Sequence, residues 1–73
     1  MEDWKKRLLL EHVELETKAE KLKSFLNDEK YKNKRDGLGA ENFNLLQAQL
    51  ASMIAYLVIM QIRLTKAGVK FGQ

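Results

Sequence analysis

An apolar pattern at helical spacing runs through residues 43–64, FNLLQAQLASMIAYLVIMQIRL. Its apolar side chains recur at alternating intervals of three and four residues, which is typical of a helix that packs along one neighbour. Seven residues form this first row: Phe43, Leu46, Leu50, Met53, Leu57, Met60 and Leu64. The pattern therefore predicts a long helix with one face buried along its whole length.

A second row of mostly apolar residues lies beside the first on the same predicted helix. This second row consists of Gln47, Ala51, Ile54, Val58 and Ile62. Two adjacent rows indicate a helix with neighbours on more than one side. A chain of 73 residues without cysteine has little other sequence, and no disulfide, with which to hold such a helix in place. We therefore expect copies of the chain to assemble into a homo-oligomeric helical bundle.

The same helix raises the question of a membrane span. Residues 44–62 form an uncharged run of nineteen residues, and about 17–25 residues are enough to cross a bilayer. Polar side chains interrupt the run, and they would be costly in lipid. The interrupting residues are Asn44, Gln47, Gln49, Ser52 and Gln61. An oligomer core, with no membrane contact, is the better interpretation.

The whole sequence predicts an all-α fold, a single domain made of a helical hairpin. We expect helix 1 at about residues 2–27, a basic loop at about 28–39, helix 2 at about 40–66 and a tail at 67–73. The chain has no proline and is rich in strong helix formers. Helix 1 is expected to bury a stripe formed by Trp4, Leu8, Leu15, Ala19, Leu22 and Leu26.

Charge and composition exclude several classes of function. The net charge of +3 is modest, and nine of the ten acidic residues lie within residues 1–36, so an extended basic surface for nucleic acid is not expected. The chain has a single histidine and no cysteine. It has no Ser/His/Asp set, no HExxH motif and no Gly-rich phosphate loop. We therefore expect no enzymatic activity, no cofactor and no metal site. No signal peptide is predicted, since residues 1–7 are charged.

Two aromatic residues with neighbouring cations are candidates for ligand binding. Trp4 is either a core anchor or a stacking surface for a nucleobase, with Arg7 one turn further along the helix to meet a phosphate. Tyr31 and Lys30 lie in a basic segment, residues 30–35, which is either a solvated loop or a site for a phosphate-bearing ligand.

Two further residues have less certain roles. His12 is placed on the charged flank of helix 1, where it is predicted to be a surface or interface histidine. Arg63 lies near the end of helix 2, where it either extends to water from the edge of the bundle or faces an anion.

The order of residues along both helices resembles a family of small phage proteins, the anti-CBASS cyclic-oligonucleotide sponges. The resemblance is carried by Trp4-x-x-Arg7-Leu8-x-x-Glu11-x-x-Glu14-Leu15 and Lys21-Leu22-x-x-Phe25-Leu26 in helix 1. In helix 2 it is carried by Leu45-Leu46-x-x-Gln49-Leu50-x-x-Met53-x-x-Tyr56-x-x-Ile59-x-x-x-Arg63. The most specific part of the resemblance is Leu45-Leu46-x-x-Gln49-Leu50-x-x-Met53-x-x-Tyr56.

The resemblance implies a homo-oligomer, typically a hexamer, in the cytoplasm of the infected host. Such proteins capture cyclic di- and trinucleotide messengers between subunits without cleaving them, and so block bacterial CBASS immunity. It implies that Trp4, Arg7 and His12 clamp one ligand and that Arg63 belongs to a second pocket. The alternative from another class is a structural or protein-binding helical oligomer of phage origin that has no nucleotide ligand.

Overall fold

The computed structural model describes residues 2–69, which form helices joined by short connections. α1 spans Asp3–Asn27, a 3₁₀-helix spans Glu29–Tyr31, α2 spans Lys32–Asp36 and α3 spans Ala40–Lys66. No strand occurs in this part of the chain, which confirms the predicted all-α fold class. α1 and α3 pack against each other as a hairpin, and the protomer measures 45 × 21 × 17 Å.

The first row of α3 is the face that packs against α1. Met60 and Leu64 are buried, with exposed fractions of 2% and 0%, and the other five residues of the row are half-buried. Burying one such side chain stabilises a fold by about 1.5–3 kcal/mol. The most completely buried part of the hairpin therefore lies at the C-terminal end of α3, opposite the N-terminal turns of α1.

The second row of α3 is exposed on the protomer at all five positions. Ile54, Val58 and Ile62 are each about half exposed, at 49%, 50% and 51%. Tyr56 and Ile59, on another side of the helix, are exposed at 46% and 47%. α3 is thus apolar around most of its circumference, and a single α1 covers only one side of it.

By length and composition, α3 is also the one helix among residues 2–69 that could cross a membrane. Its most apolar window has a mean hydropathy of 1.6, and only 6% of that window is buried within the protomer. The core helix of a soluble protein is usually mostly buried. Most of this apolar surface of α3 is therefore left uncovered by α1.

The buried face of α1 differs from the predicted stripe at two positions. His12 is buried, with an exposed fraction of 4%, so its placement on the charged flank was wrong. Counting from Leu8 to Leu15, residue 12 falls four and then three residues away, so it completes the heptad spacing of the buried face. Trp4 is more exposed than the predicted stripe requires. Half of its surface is exposed, so it is not a core anchor.

The connection between the long helices is more ordered than the loop predicted at residues 28–39. It contains the 3₁₀-helix and α2, because a side chain from α2 ties it to the end of α1. The Arg35 guanidinium donates hydrogen bonds to the carbonyl oxygen of Phe25, at 2.8 Å, and to that of Asp28. The Asp28 carboxylate in turn accepts a hydrogen bond from the backbone N–H of Lys30 at 3.3 Å. The two Arg35 contacts join residues ten and seven positions apart, so local turn signals do not reveal them.

Replacing Arg35 by alanine is expected to lower the free energy of unfolding by about 1–2 kcal/mol, since it leaves two carbonyl groups at the end of α1 without their charged donor. Urea unfolding followed by circular dichroism, at fixed protein concentration, measures the change. Lys34→Ala is the matched control, because Lys34 is exposed on the same short helix, and its effect should stay within about 0.5 kcal/mol. Equal effects of the two substitutions would contradict the capping role of Arg35.

The C-terminal end of α3 is closed by a glycine in the left-handed region. Gly68 has a φ of 89°, its N–H donates to the carbonyl oxygen of Thr65, and the N–H of Val69 donates to that of Leu64 at 2.9 Å. This pair of hydrogen bonds is the Schellman motif, which favours glycine at that position. Residues 70–73 of the predicted tail lie outside the described residues.

Candidate functional site

One candidate site is a surface groove on the first turns of α1, here called the N-terminal groove. It has a volume of about 300 Å³ and is lined by Trp4, Arg7, Leu8 and Glu11. These residues lie three, four and seven positions after the first, which is the spacing that places side chains on one face of a helix. Leu8 is half-buried at its base, and the other three are exposed. The groove thus combines an aromatic ring, a cation, an anion and an apolar floor.

The indole of Trp4 is held in place by its neighbours in sequence. Its Nε1–H donates a hydrogen bond to Oε2 of Glu2 at 2.6 Å. The ammonium of Lys5 lies 5.6 Å from the ring centroid, within the range of a cation–π interaction. One face of the ring is therefore occupied by the cation, and the opposite face is the one available for stacking.

A second candidate site, here called the linker groove, lies where the 3₁₀-helix meets α1. Lys30 and Tyr31 line it from the linker, and its volume is about 350 Å³. The Tyr31 ring packs against Phe25 with its centroid 5.5 Å away, and the Lys30 ammonium lies 5.1 Å from the Tyr31 centroid. From α1 the lining residues are Thr17, Glu20, Lys21 and Ser24. Two ammonium groups, the Ser24 hydroxyl and a phenol supply hydrogen-bond donors to this groove, and the Glu20 carboxylate supplies an acceptor.

The structure brings the candidate residues together in pairs and not as one site. Trp4 and Arg7 share the N-terminal groove, and Lys30 and Tyr31 share the linker groove. The α1 residues of the linker groove lie thirteen positions after those of the N-terminal groove, which corresponds to about 20 Å along the helix. No single ligand of dinucleotide size would contact both grooves within one protomer.

His12 and Arg63 line neither groove. His12 is buried in the hairpin, with 4% of its surface exposed. Arg63 is exposed in the last turn of α3. Since the two long helices run in opposite directions, it lies at the same end of the hairpin as the N-terminal groove.

Several lining residues were not among the candidates taken from the sequence. In the N-terminal groove these are Leu8, which had been assigned to the core, and Glu11. Their spacing of four and seven residues from Trp4 is the feature of the sequence by which they could have been identified. Lys21 and Ser24 of the linker groove could not be found in this way, because they meet Lys30 only through the path of the linker.

The exposed side of α3 contributes two further grooves, both mainly apolar. One, with a volume of about 390 Å³, includes Val58, Ile62 and Thr65. The other, of about 170 Å³, lies between α1 and α3 and includes Ala19 and Ile54. Within residues 2–69, no three metal-binding side chains lie close enough together to hold an ion. The side chains that line the four grooves can bind a ligand by stacking, charge and apolar contact.

A family model described as Sequestin matches residues 2–66. The chain belongs to the Sequestin family. The match includes α1, the linker and all of α3, and so every residue that lines either groove. The family name indicates a sequestering function, in which a ligand is held. No curated protein and no solved structure gives a significant match.

Membership of the Sequestin family bears on how the two grooves are interpreted. A sequestering protein needs binding groups, and each groove has an aromatic ring, at least one cation and a carboxylate, with hydroxyls added in the linker groove. Besides the two grooves, this Sequestin member has a third feature, the exposed apolar surface of α3.

Proposed function

We propose that this Sequestin member is a phage counter-defence protein that sequesters cyclic di- or trinucleotide messengers in the cytoplasm of the infected bacterium. It holds the messenger without cleaving it, so that the CBASS effector receives no signal. The observation that carries the proposal is the N-terminal groove, where the exposed indole of Trp4 and the guanidinium of Arg7 lie on one face of α1.

The two groups suit the two halves of a nucleotide. A purine base stacks on the free face of the Trp4 ring, and such stacking contributes about 1–3 kcal/mol per base. Arg7, one turn further along, meets a phosphate oxygen with a charged and geometrically selective hydrogen bond. Leu8 provides the apolar contact beneath the base.

The linker groove supports the same class of ligand. Lys21 and Lys30 place two positive charges around it, beside the carboxylate of Glu20, and the hydroxyl of Ser24 adds a donor. Thr17 already donates to the carbonyl oxygen of Val13 at 3.0 Å, so its oxygen remains an acceptor for a ligand N–H. We propose that this groove receives a phosphate-bearing portion of a ligand.

Assembly is part of the proposed function. Each groove is an open depression on one protomer, and a messenger held for long must be covered on more than one side. Burial of the exposed apolar surface of α3 would favour association of the chain with copies of itself. A homo-oligomer, with the hexamer that the family resemblance implies, would then bring a second subunit over the groove and bring Arg63 towards a neighbouring pocket.

Binding of a cyclic dinucleotide is expected to weaken by about 5- to 150-fold in Trp4→Ala, because the stacking surface is lost. Isothermal titration against a panel of cyclic di- and trinucleotides measures this, and quenching of the fluorescence of the single tryptophan reports stacking directly. Trp4→Phe keeps an aromatic face and should recover most of the affinity.

Chromatography of the ligand after release should return it intact, since no cleavage is proposed. An absence of heat with every cyclic nucleotide, on protein of verified oligomeric mass, would reject the proposed function.

A second candidate function is supported by the exposed apolar side of α3, which would serve equally well in a structural or protein-binding oligomer without a nucleotide ligand. The same titration separates the two, because that oligomer would assemble normally and bind none of the panel.

A further inference from the structure

Arg35 does not line the linker groove, but it contacts the residues that hold the aromatic ring of that groove. Its Nη1 donates hydrogen bonds to two carbonyl oxygens at the end of α1, that of Phe25 at 2.8 Å and that of Asp28. A hydrogen bond from a charged donor is stronger than one between neutral groups. Arg35 therefore fixes the backbone at the point where the chain leaves α1 and enters the 3₁₀-helix.

The two residues that Arg35 contacts are the two that hold Tyr31. The carbonyl oxygen of Asp28 accepts from Arg35 and also from the backbone N–H of Tyr31, at 3.1 Å. Phe25 packs its ring against the Tyr31 ring, with the centroids 5.5 Å apart and the planes inclined at 50°, a geometry that favours attraction between aromatic rings. The backbone and the ring of Tyr31 are thus each held by a residue that is bonded to Arg35.

The same contacts reach Lys30. Its backbone N–H donates to the Asp28 carboxylate at 3.3 Å. Its ammonium lies 5.1 Å from the centroid of the Tyr31 ring, within the range of a cation–π interaction. The linker supplies Lys30 and Tyr31 to the lining of the groove, and α1 supplies the other lining residues. The linker side of the groove therefore depends on the position of Asp28, which Arg35 holds.

We propose that Arg35 is the positioning residue of the linker groove. It does not touch the ligand. It holds Tyr31 and Lys30 against α1 before a ligand arrives, so that binding does not have to order these two side chains. This inference rests on the proposed function, because it concerns the groove that was assigned there to a phosphate-bearing portion of a ligand.

The first part of the test follows the Tyr31 ring without a ligand. The chain has two tyrosines, so isotopic labelling of tyrosine gives two sets of ring signals in an NMR spectrum, and Tyr56→Phe identifies each set. In the wild-type protein, the ring current of Phe25 should displace the Tyr31 signal from the position of a free tyrosine. In Arg35→Ala the signal should move towards that position, and the Tyr56 signal should stay where it is.

Two further variants complete this part of the test. Lys34→Ala is the matched control, since it removes the neighbouring positive charge, which is exposed on α2, and it should leave the Tyr31 signal unchanged. Arg35→Lys keeps the charge with a shorter reach, so it should move the Tyr31 signal in the same direction by less than Arg35→Ala. It takes the place of Arg35→Ala should that variant fail to fold.

The second part of the test measures binding of cyclic di-AMP and cyclic tri-AMP to the same labelled proteins. The Tyr31 signal reports on the linker groove, and quenching of the Trp4 fluorescence reports on the N-terminal groove. Binding that moves the Tyr31 signal should weaken by about 5- to 150-fold in Arg35→Ala, because the ligand must then order two side chains. Affinity read from Trp4 should stay within a few-fold, and Lys34→Ala should change neither affinity by more than that.

Three results would overturn this role of Arg35: an unmoved Tyr31 signal in Arg35→Ala, a released Tyr31 ring without a loss of affinity, or an equal loss in Lys34→Ala. Quenching of Trp4 by a probe that leaves the wild-type Tyr31 signal unmoved would also overturn it, and would leave the proposed function standing. Binding of no cyclic nucleotide by the wild-type protein would instead reject the proposed function, while the Tyr31 signal would still show whether Arg35 holds the ring.

Discussion

Leu64→Ala is expected to lower the free energy of unfolding by about 2–5 kcal/mol, the range for a leucine truncated in a packed core. Leu64 has no exposed surface, and Met60, the residue one turn before it, is 2% exposed. The backbone carbonyl of Leu64 also accepts the hydrogen bond from the N–H of Val69 that closes α3. The cavity would therefore open where the hairpin has its most complete packing. Urea unfolding at a fixed protomer concentration measures the loss, since oligomers are stabilised by mass action.

Leu10→Ala provides the control for this substitution. The chemical change is identical, but 57% of the Leu10 surface is exposed on α1, so less than half of the Leu64 effect is expected. If Leu64→Ala cost no more than Leu10→Ala, the hairpin contact between α1 and α3 would not be the core of the protomer.

Val58→Glu is expected to dissociate the proposed homo-oligomer. Val58 lies in the middle of the second row and half of its surface is exposed, so a glutamate there would be well solvated on a single protomer. In an assembly that covers this row, the same carboxylates would be buried near one another without partners, which is strongly unfavourable. Sedimentation equilibrium should therefore show a lower mass than for the wild type, and any ligand pocket that needs two subunits should be lost with it.

Asn33→Glu serves as the charge-matched control, since Asn33 is exposed on α2, away from the second row. Its mass should equal that of the wild type. An unchanged mass for Val58→Glu as well would show that this row of α3 is not an interface between copies.

The spacing of apolar residues predicts the hairpin because both long helices are amphipathic over many turns. In α3 the first row is the buried one, and the second row is exposed on a protomer, as expected for a helix that needs a second neighbour. His12 shows the limit of this approach. The charged residues around it predict a surface or interface histidine on the charged flank of α1, whereas its heptad spacing matches the buried position that the structure gives it.

The candidate grooves could be predicted only where they depend on a single helix. Trp4 and Arg7 share a face because of their separation in sequence, and the structure places them in one groove. The linker groove depends on how Arg35 folds the connection back on α1, which no local pattern reveals. Which residues of two subunits would form one site depends on the symmetry of the assembly. A single sequence does not specify that symmetry.

The most direct test of the account is the mass of the wild-type protein in detergent-free buffer at micromolar concentration, measured by sedimentation equilibrium. The protomer has a mass of 8.5 kDa. We expect a discrete multiple of this mass, six-fold for the hexamer that the family resemblance implies. A soluble, cooperatively folding species of 8.5 kDa would contradict it, because the apolar surface of α3 would then need no second copy to cover it.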